Sequence, residues 1–270
     1  MLIIGERINS SRKGVFQAIR DGNTPFIQAE ARAQDESGAD YIDVNAGAFV
    51  GEESQYLRWV IECVQDVTEI PLCIDSADPE VIRAMLPLVK KAPMINSISL
   101  EPDRLGKILP LVVEYKAKVI ALCQTQDKMA QTADDKIRMS EQLVDHVAAA
   151  GLPLQDLFID PLVYPISTNA VSAVETLNAI EQIMTAFPDV HTTCGLTNVS
   201  YGLPARKLVN RCFLVAAIGR GLDAVILDPT DPQLLGALKG SLMLMGKDEY
   251  CMSFITAFRE GRISDESAPR

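Results

Sequence analysis

Eight short β-rich runs in this chain end on side chains that accept or donate hydrogen bonds, and these ends are where chemistry is expected. The first ends on Glu6, Arg7 and Asn9, the second on Asp43 and Asn45, the third on Asp75 and Ser76, the fourth on Asn96, Ser97 and Ser99. The fifth ends on Gln124 and Thr125, the sixth on Asp160, the seventh on Thr197, Asn198 and Ser200, the eighth on Asp228. Carboxylates and amides dominate, with almost no Lys or His. His146 lies well along a helical stretch and His191 precedes the seventh run, so neither histidine falls at a strand end. The set offers hydrogen bonding without a strong base, a nucleophilic Cys/His pair or a metal-ligand cluster. It suits a neutral, polar heterocycle, with the reactive bonds in the bound molecules and the protein supplying position and field.

Each polar residue also has a purely structural reading. Asp78, followed by Pro79 and Glu80, is read as a helix N-cap. Asp75 precedes that cap and is expected to point into the space above the strands. Asp160, followed by Pro161, has no helix start close behind it, and a buried carboxylate there needs donors, which a ligand with paired N–H groups would supply. Asp43 is open between that role and a structural pair with Arg7.

The elements that must carry these residues alternate along the chain. Strands are expected at 2–8, 41–47, 72–77, 94–99, 118–124, 157–163, 192–198 and 224–229. Between them lie helical patterns such as "SQYLRWVIECVQDV", where Tyr56, Val60 and Cys63, with Trp59 and Val64, form the stripe a helix needs to cover a sheet. Gly38, Gly151 and Gly221 fall where helices stop. Strand–helix alternation implies parallel pairing through right-handed crossovers, and eight such units predict an α/β fold, a single (β/α)8 TIM barrel over residues 1–262. Residues 263–270, polar and without period, are expected to form a loose tail.

Composition narrows the function classes. The chain has 270 residues, 48% of them apolar, and a formal charge of -11, which argues against a nucleic-acid surface or an anionic membrane as partner. No apolar run reaches the roughly 18 residues of a spanning helix, and the N-terminus lacks the pattern of a secretory signal, so a cytoplasmic protein is expected. The six cysteines are scattered singly, which favours reduced core residues over a metal site. No glycine-rich phosphate loop is present.

Taken in order, "MLIIGERIN", "DVNAG", "LCIDSADP", "MINSIS", "FIDPL" and "GLTNVSYGLPARKLVNRCFL" resemble the methyltetrahydrofolate:corrinoid/iron-sulfur-protein methyltransferase family, one of the pterin-binding, dihydropteroate-synthase-like (β/α)8 barrels. The resemblance covers about residues 1–260. It implies that the pterin of tetrahydrofolate or 5-methyltetrahydrofolate, the substrate, lies in the barrel mouth against Asp75, Asn96, Ser97, Asp160, Asn198 and Arg206, with Asp160 accepting from the 2-amino and ring N–H groups. Asn198 would be the catalytic residue, reaching N5, the atom that carries the methyl group. Glu6, Asn9, Asp43, Asn45, Gly195 and Ser200 would support the site, and Gly202 and Pro204, with Gly195, would shape its loop. Arg206 is open between an acidic group of the ligand and a contact within its own helix.

The reaction so implied moves a methyl group between N5 of tetrahydrofolate and the cobalt of a corrinoid (cobalamin). The chain carries no Asp-x-His-x-x-Gly cobalamin box, so a separate corrinoid protein would bring that group, and no metal would be bound by the chain itself. The resemblance also implies a homodimer. Two alternatives are a dihydropteroate-synthase-like pterin enzyme and a non-catalytic pterin-binding subunit of a corrinoid complex. Against the first, the sixth strand continues "DPLVYPIST" and the seventh "NVSYGL", without the lysine and arginine loops that branch uses for an anionic leaving group.

Overall fold

A computed structural model describes residues 1–264 of the chain. All eight expected runs form strands: β1 (Leu2–Asn9), β2 (Tyr41–Asn45), β3 (Leu72–Asp75), β4 (Met94–Ser99), β5 (Lys118–Leu122), β6 (Leu157–Asp160), β7 (His191–Thr192) and β8 (Ala224–Leu227). They pair in parallel in the order β7-β6-β5-β4-β3-β2-β1-β8. The β7–β8 seam closes just beyond β7, where Gly195 bridges Ile226 and the Ile226 amide donates to the Cys194 carbonyl at 3.0 Å. The fold is a single (β/α)8 barrel.

The helices are α1 (Lys13–Arg20), α2 (Thr24–Glu36), α3 (Glu53–Gln65), α4 (Pro79–Met85), α5 (Pro102–Glu114), α6 (Ala133–Ala149), α7 (Ser172–Ala186), α8 (Arg206–Gly219), α9 (Pro232–Leu244) and α10 (Met252–Arg259). In α3 the expected stripe is buried at Val60, Cys63 and Val64, and Leu57 and Ile61 widen it, while Tyr56 and Trp59 pack half-buried at its edge. Asp78 caps α4 as expected, accepting from the Glu80 amide at 2.9 Å. Gly38, Gly151 and Gly221 take φ of 85°, 77° and 106°, the left-handed turn that ends a helix without a Cβ penalty.

Three differences matter. Helices α1, α9 and α10 have no clear helical pattern in the sequence: α1 and α10 are short, and in α9 Gly236 and Gly240 interrupt an otherwise apolar run. The seventh strand is much shorter than residues 192–198, because residues Leu196–Ser200 wind into a 3₁₀ turn. Of the expected tail, Ile263 is not loose: it is buried against the cluster that includes Leu234, Leu235, Leu238 and Ala257, because α10 folds back on α9 and needs an apolar cover. Residues 265–270 lie outside the described residues.

Candidate active site at the mouth of the barrel

Strand side chains alternate between faces, so every second residue points into the barrel. The inward column begins apolar: Ile4, Tyr41, Cys73, Met94, Ile120, Phe158 and Ala224 pack together as the floor. Two residues further on, β1, β2, β3, β4 and β6 present Glu6, Asp43, Asp75, Asn96 and Asp160. Strand pairing aligns them, with Asn45 opposite Asp75 and Asp75 opposite Asn96. Period two alone therefore carries an apolar floor into a polar mouth, with Asp43 lower in register than Asp75, opposite Cys73.

Side-chain hydrogen bonds tie this ring together. Asn45 Nδ2 donates to Asp75 Oδ2 at 2.9 Å, and Asn96 Nδ2 donates to Asp43 Oδ1 at 3.3 Å. Asn45 Oδ1 in turn accepts from Ser10 Oγ and the Gly47 amide, both at 3.0 Å. Asp43 does not pair with Arg7. That guanidinium turns outward to Glu30 and to Asp228, 2.8 Å from the latter's Oδ2, which leaves Asp43 facing the barrel axis. Ser97 is buried beside Asn96 and enters through its carbonyl, which accepts from Arg104 Nε at 2.8 Å. Arg104 also bonds the Ser76 and Ala77 carbonyls, stitching the ends of β3 and β4 behind Asp75.

Burial dominates the electrostatics. It pushes the Glu6 carboxyl up to about 7, with Asp228 adding to the rise and Arg12 and Arg206 opposing it. Asp75 rises to about 6 for the same reason, held back by the Asn45 hydrogen bond and Arg104. Asp43 is driven well above the usual carboxylate range by burial and then by the neighbouring Asp75, so it is the carboxyl of that pair that keeps a proton. Asp160 rises to about 6 through burial, opposed by the Leu162 amide, Lys136 and the Gly195 amide.

The turn after β7 supplies the remaining wall. Asn198 sits within the 3₁₀ turn and not at the end of an extended strand, its amide donating to the Gly195 carbonyl at 3.2 Å. Its side-chain amide makes no hydrogen bond among the described residues and is exposed to the mouth. A cavity of about 830 Å³ opens there, lined by Glu6, Asn9, Gly195, Asn198 and Arg206 together with Ser11, Arg12, Thr197, Tyr201, Lys207 and Asp228 among others. Asp75, Asn96 and Asp160 are not in that wall; they lie on the inward faces of β3, β4 and β6, and the Gly195 amide joins Asp160 to it. Arg206 is the first residue of α8 and grips the turn, Nη2 donating to the Thr197 carbonyl at 2.9 Å and Nε to Ser200 Oγ at 3.1 Å. Arg206 thus lines the cavity and pins the turn that precedes its helix, and its bonds go to that turn and not to a partner within α8.

Several contributors to the site leave little trace in the sequence. Arg12 and Lys207 line the cavity from loop and helix positions that carry no strand-end signal. Lys136, in "DDKIRM", is fully buried behind Asp160. Its only cue was an apolar stripe that runs through Lys136, Met139 and Leu143 at helical spacing.

The sequence profile of the family described as pterin binding enzyme matches residues 5–228. The chain is 37% identical over 270 residues to the methylcorrinoid:tetrahydrofolate methyltransferase of Eubacterium limosum, covering 99% of this chain and 100% of that one. It is 30% identical over 240 residues to the methionine synthase of Mycobacterium tuberculosis, covering 84% of this chain and 20% of that longer protein. Among solved structures, dihydropteroate synthase of Xanthomonas albilineans with 4-aminobenzoic acid superposes with a TM-score of 0.69 over 92% of each chain at 20% identity, a likeness of fold.

Proposed function

The chain belongs to the pterin binding enzyme family, and from that premise we propose that it is a methyltransferase moving a methyl group between N5 of tetrahydrofolate and the cobalt of a corrinoid carried by a separate protein. The relative that matches along its whole length is named for transfer from methylcorrinoid to tetrahydrofolate, and that direction is adopted here. The observation that carries the reading is the set of uncharged and acidic side chains, Asp75, Asn96 and Asp160, on the inward faces of β3, β4 and β6 above an apolar floor, with Asn198 in the cavity wall that the Gly195 amide joins to Asp160. A flat, reduced heterocycle with an amidine edge complements such a ring. Ionised Asp160 accepts two N–H groups from that edge, and Asn96 and Asp75 fix the plane.

In the proposed reaction the N5 lone pair attacks the methyl carbon, the carbon–cobalt bond breaks with its electron pair leaving on cobalt as Co(I), and N5, now cationic, releases its proton. Run backwards, N5 must first gain a proton before Co(I) displaces the methyl. The Asn198 amide serves both directions because its nitrogen donates to the neutral amine and its oxygen accepts from the protonated one, which favours the charge-bearing transition state over either ground state. Its freedom from other hydrogen bonds leaves it able to swing between the two.

Several narrower expectations belong to the same reading. A homodimer is supported by exposed apolar side chains on the last helices, Leu208 and Val215 on α8, Leu244 at the end of α9 and Phe258 on α10. A cytoplasmic setting fits six cysteines that are all free. The acidic charge of -11 disfavours nucleic acid as a partner, and no described helix is long and apolar enough to cross a membrane. Among the described residues no group of three or more His, Cys, Asp and Glu is arranged to hold a metal. The deciding experiment mixes the pure protein with 5-methyltetrahydrofolate and a reduced Co(I) corrinoid. Methyl-Co(III) formation in the visible spectrum is expected, as is loss of methyl-Co(III) when a methylcorrinoid is mixed instead with tetrahydrofolate; neither change, with no folate binding by titration, removes the proposal.

A further inference from the structure

Burying a lysine with its charge costs free energy unless the ammonium is well partnered, and Lys136 of α6 is fully buried. Its Nζ donates to the Pro161 carbonyl at 2.5 Å and to the Leu162 carbonyl at 2.6 Å, and it lies 5.2 Å from the centre of the Tyr164 ring. Two successive carbonyls converge on one point because Leu162 adopts φ of 61°, a left-handed conformation costly for a residue with a Cβ. In the same turn the Leu162 amide donates back to Asp160 Oδ1 at 2.7 Å. One ammonium, one strained turn and one carboxylate therefore form a single unit beneath the mouth.

We propose that Lys136 is a positioning residue for the pterin site: its buried ammonium clamps the carbonyls of Pro161 and Leu162 and so holds the Asp160 carboxylate aimed into the barrel and charged for its ligand. This rests on the folate reading above and deepens it. The titratable groups facing Asp160 are Lys136 from α6, Cys123 after β5, Tyr164 from the loop after β6, and Cys194 at the seam. Lys136 is the cation among them, and it faces in turn Asp160, Cys123, Glu175 of α7 and Asp135 of its own helix. Burial pushes the Lys136 ammonium down from the usual lysine range and pushes Asp160 up to about 6, so each charge is kept by the other's presence.

The test compares the unaltered chain with Lys136→Met, which keeps length and removes charge. The Asp160 carboxyl is followed by carbon-13 NMR of labelled aspartate, its resonance assigned with Asp160→Asn, and 5-methyltetrahydrofolate binding is titrated across pH. In Lys136→Met the Asp160 midpoint is expected to rise by about one pH unit or more, and the pH dependence of folate binding to move with it, weakening affinity at pH 7 by about 2-fold or more. A merely structural lysine would lower stability without moving either midpoint, and an unmoved Asp160 titration in folded Lys136→Met overturns the proposal. A moved titration without folate binding in either protein refutes the folate reading and leaves the Lys136–Asp160 unit standing. If Lys136→Met does not fold, nitrogen-15 spectra of lysine in the unaltered chain decide. A protonated Lys136 that senses Asp160 titrating supports the role, and a neutral Lys136 at pH 7, or one blind to Asp160, refutes it.

Discussion

Asn198 and Asp160 do different work because they meet different parts of the proposed ligand. Asn198 is exposed to the mouth with its amide uncommitted, so Asn198→Ala removes a contact that matters when N5 changes charge. Methyl transfer is expected to slow by about 100-fold in single-turnover kinetics, as for loss of one transition-state hydrogen bond, while the folate dissociation constant changes far less. Asp160 is buried and accepts from the Leu162 amide, so Asp160→Asn keeps the shape but turns one acceptor into a donor facing N–H groups. Folate binding should weaken by about 10- to 100-fold with a smaller effect on the rate of bound ligand, which equilibrium titration reads directly. The opposite pattern in the two variants would exchange their roles.

Two glycines show how elements set these side chains. A Cβ on Gly195 would stand 3.1 Å from Asn198 Nδ2, tighter than ordinary contact but against a side chain free to move. Gly195→Ala should therefore leave thermal unfolding nearly unchanged and cost about 10-fold or more in methyl transfer, because Asn198 is displaced. Gly5 is a different case. Its Cβ would collide with the buried Gln34 Oε1, the acceptor for the Arg7 amide, where α2 presses on β1. Gly5→Ala is expected to destabilise the fold by about 1–3 kcal/mol in chemical denaturation, with activity per folded molecule retained. An unaffected melting curve would mean that α2 yields more easily than its packing implies.

For the molecule as a whole, the ring of raised carboxyls sets stability and affinity against each other. Glu6 stands at about 7, Asp75 and Asp160 at about 6, and Asp43 is raised as well. A carboxyl whose folded value lies above its unfolded one holds more protons folded than unfolded between the two values, so its contribution is most favourable below about 4 and declines as pH climbs through 6 to 7. Ligand binding that needs charged Asp160 runs the other way, falling as pH drops through about 6. Asp43→Asn, which removes the proton uptake that folding imposes on this buried carboxyl, should raise the thermal midpoint at pH 8 and leave it nearly unchanged at pH 4; an equal shift at both would refute the linkage. The sequence by itself determined the barrel, because eight alternating strand and helix patterns admit few closed parallel arrangements, and it determined which strand ends are polar, because period two carries Ile4 to Glu6, Cys73 to Asp75 and Phe158 to Asp160. Only the tertiary structure decided that Asn198 rides a 3₁₀ turn, that Arg7 leaves Asp43 for Glu30 and Asp228, and that Lys136 lies buried behind Asp160. Those outcomes depend on partners distant along the chain and on how a strained turn satisfies its carbonyls, which local periodicity does not record.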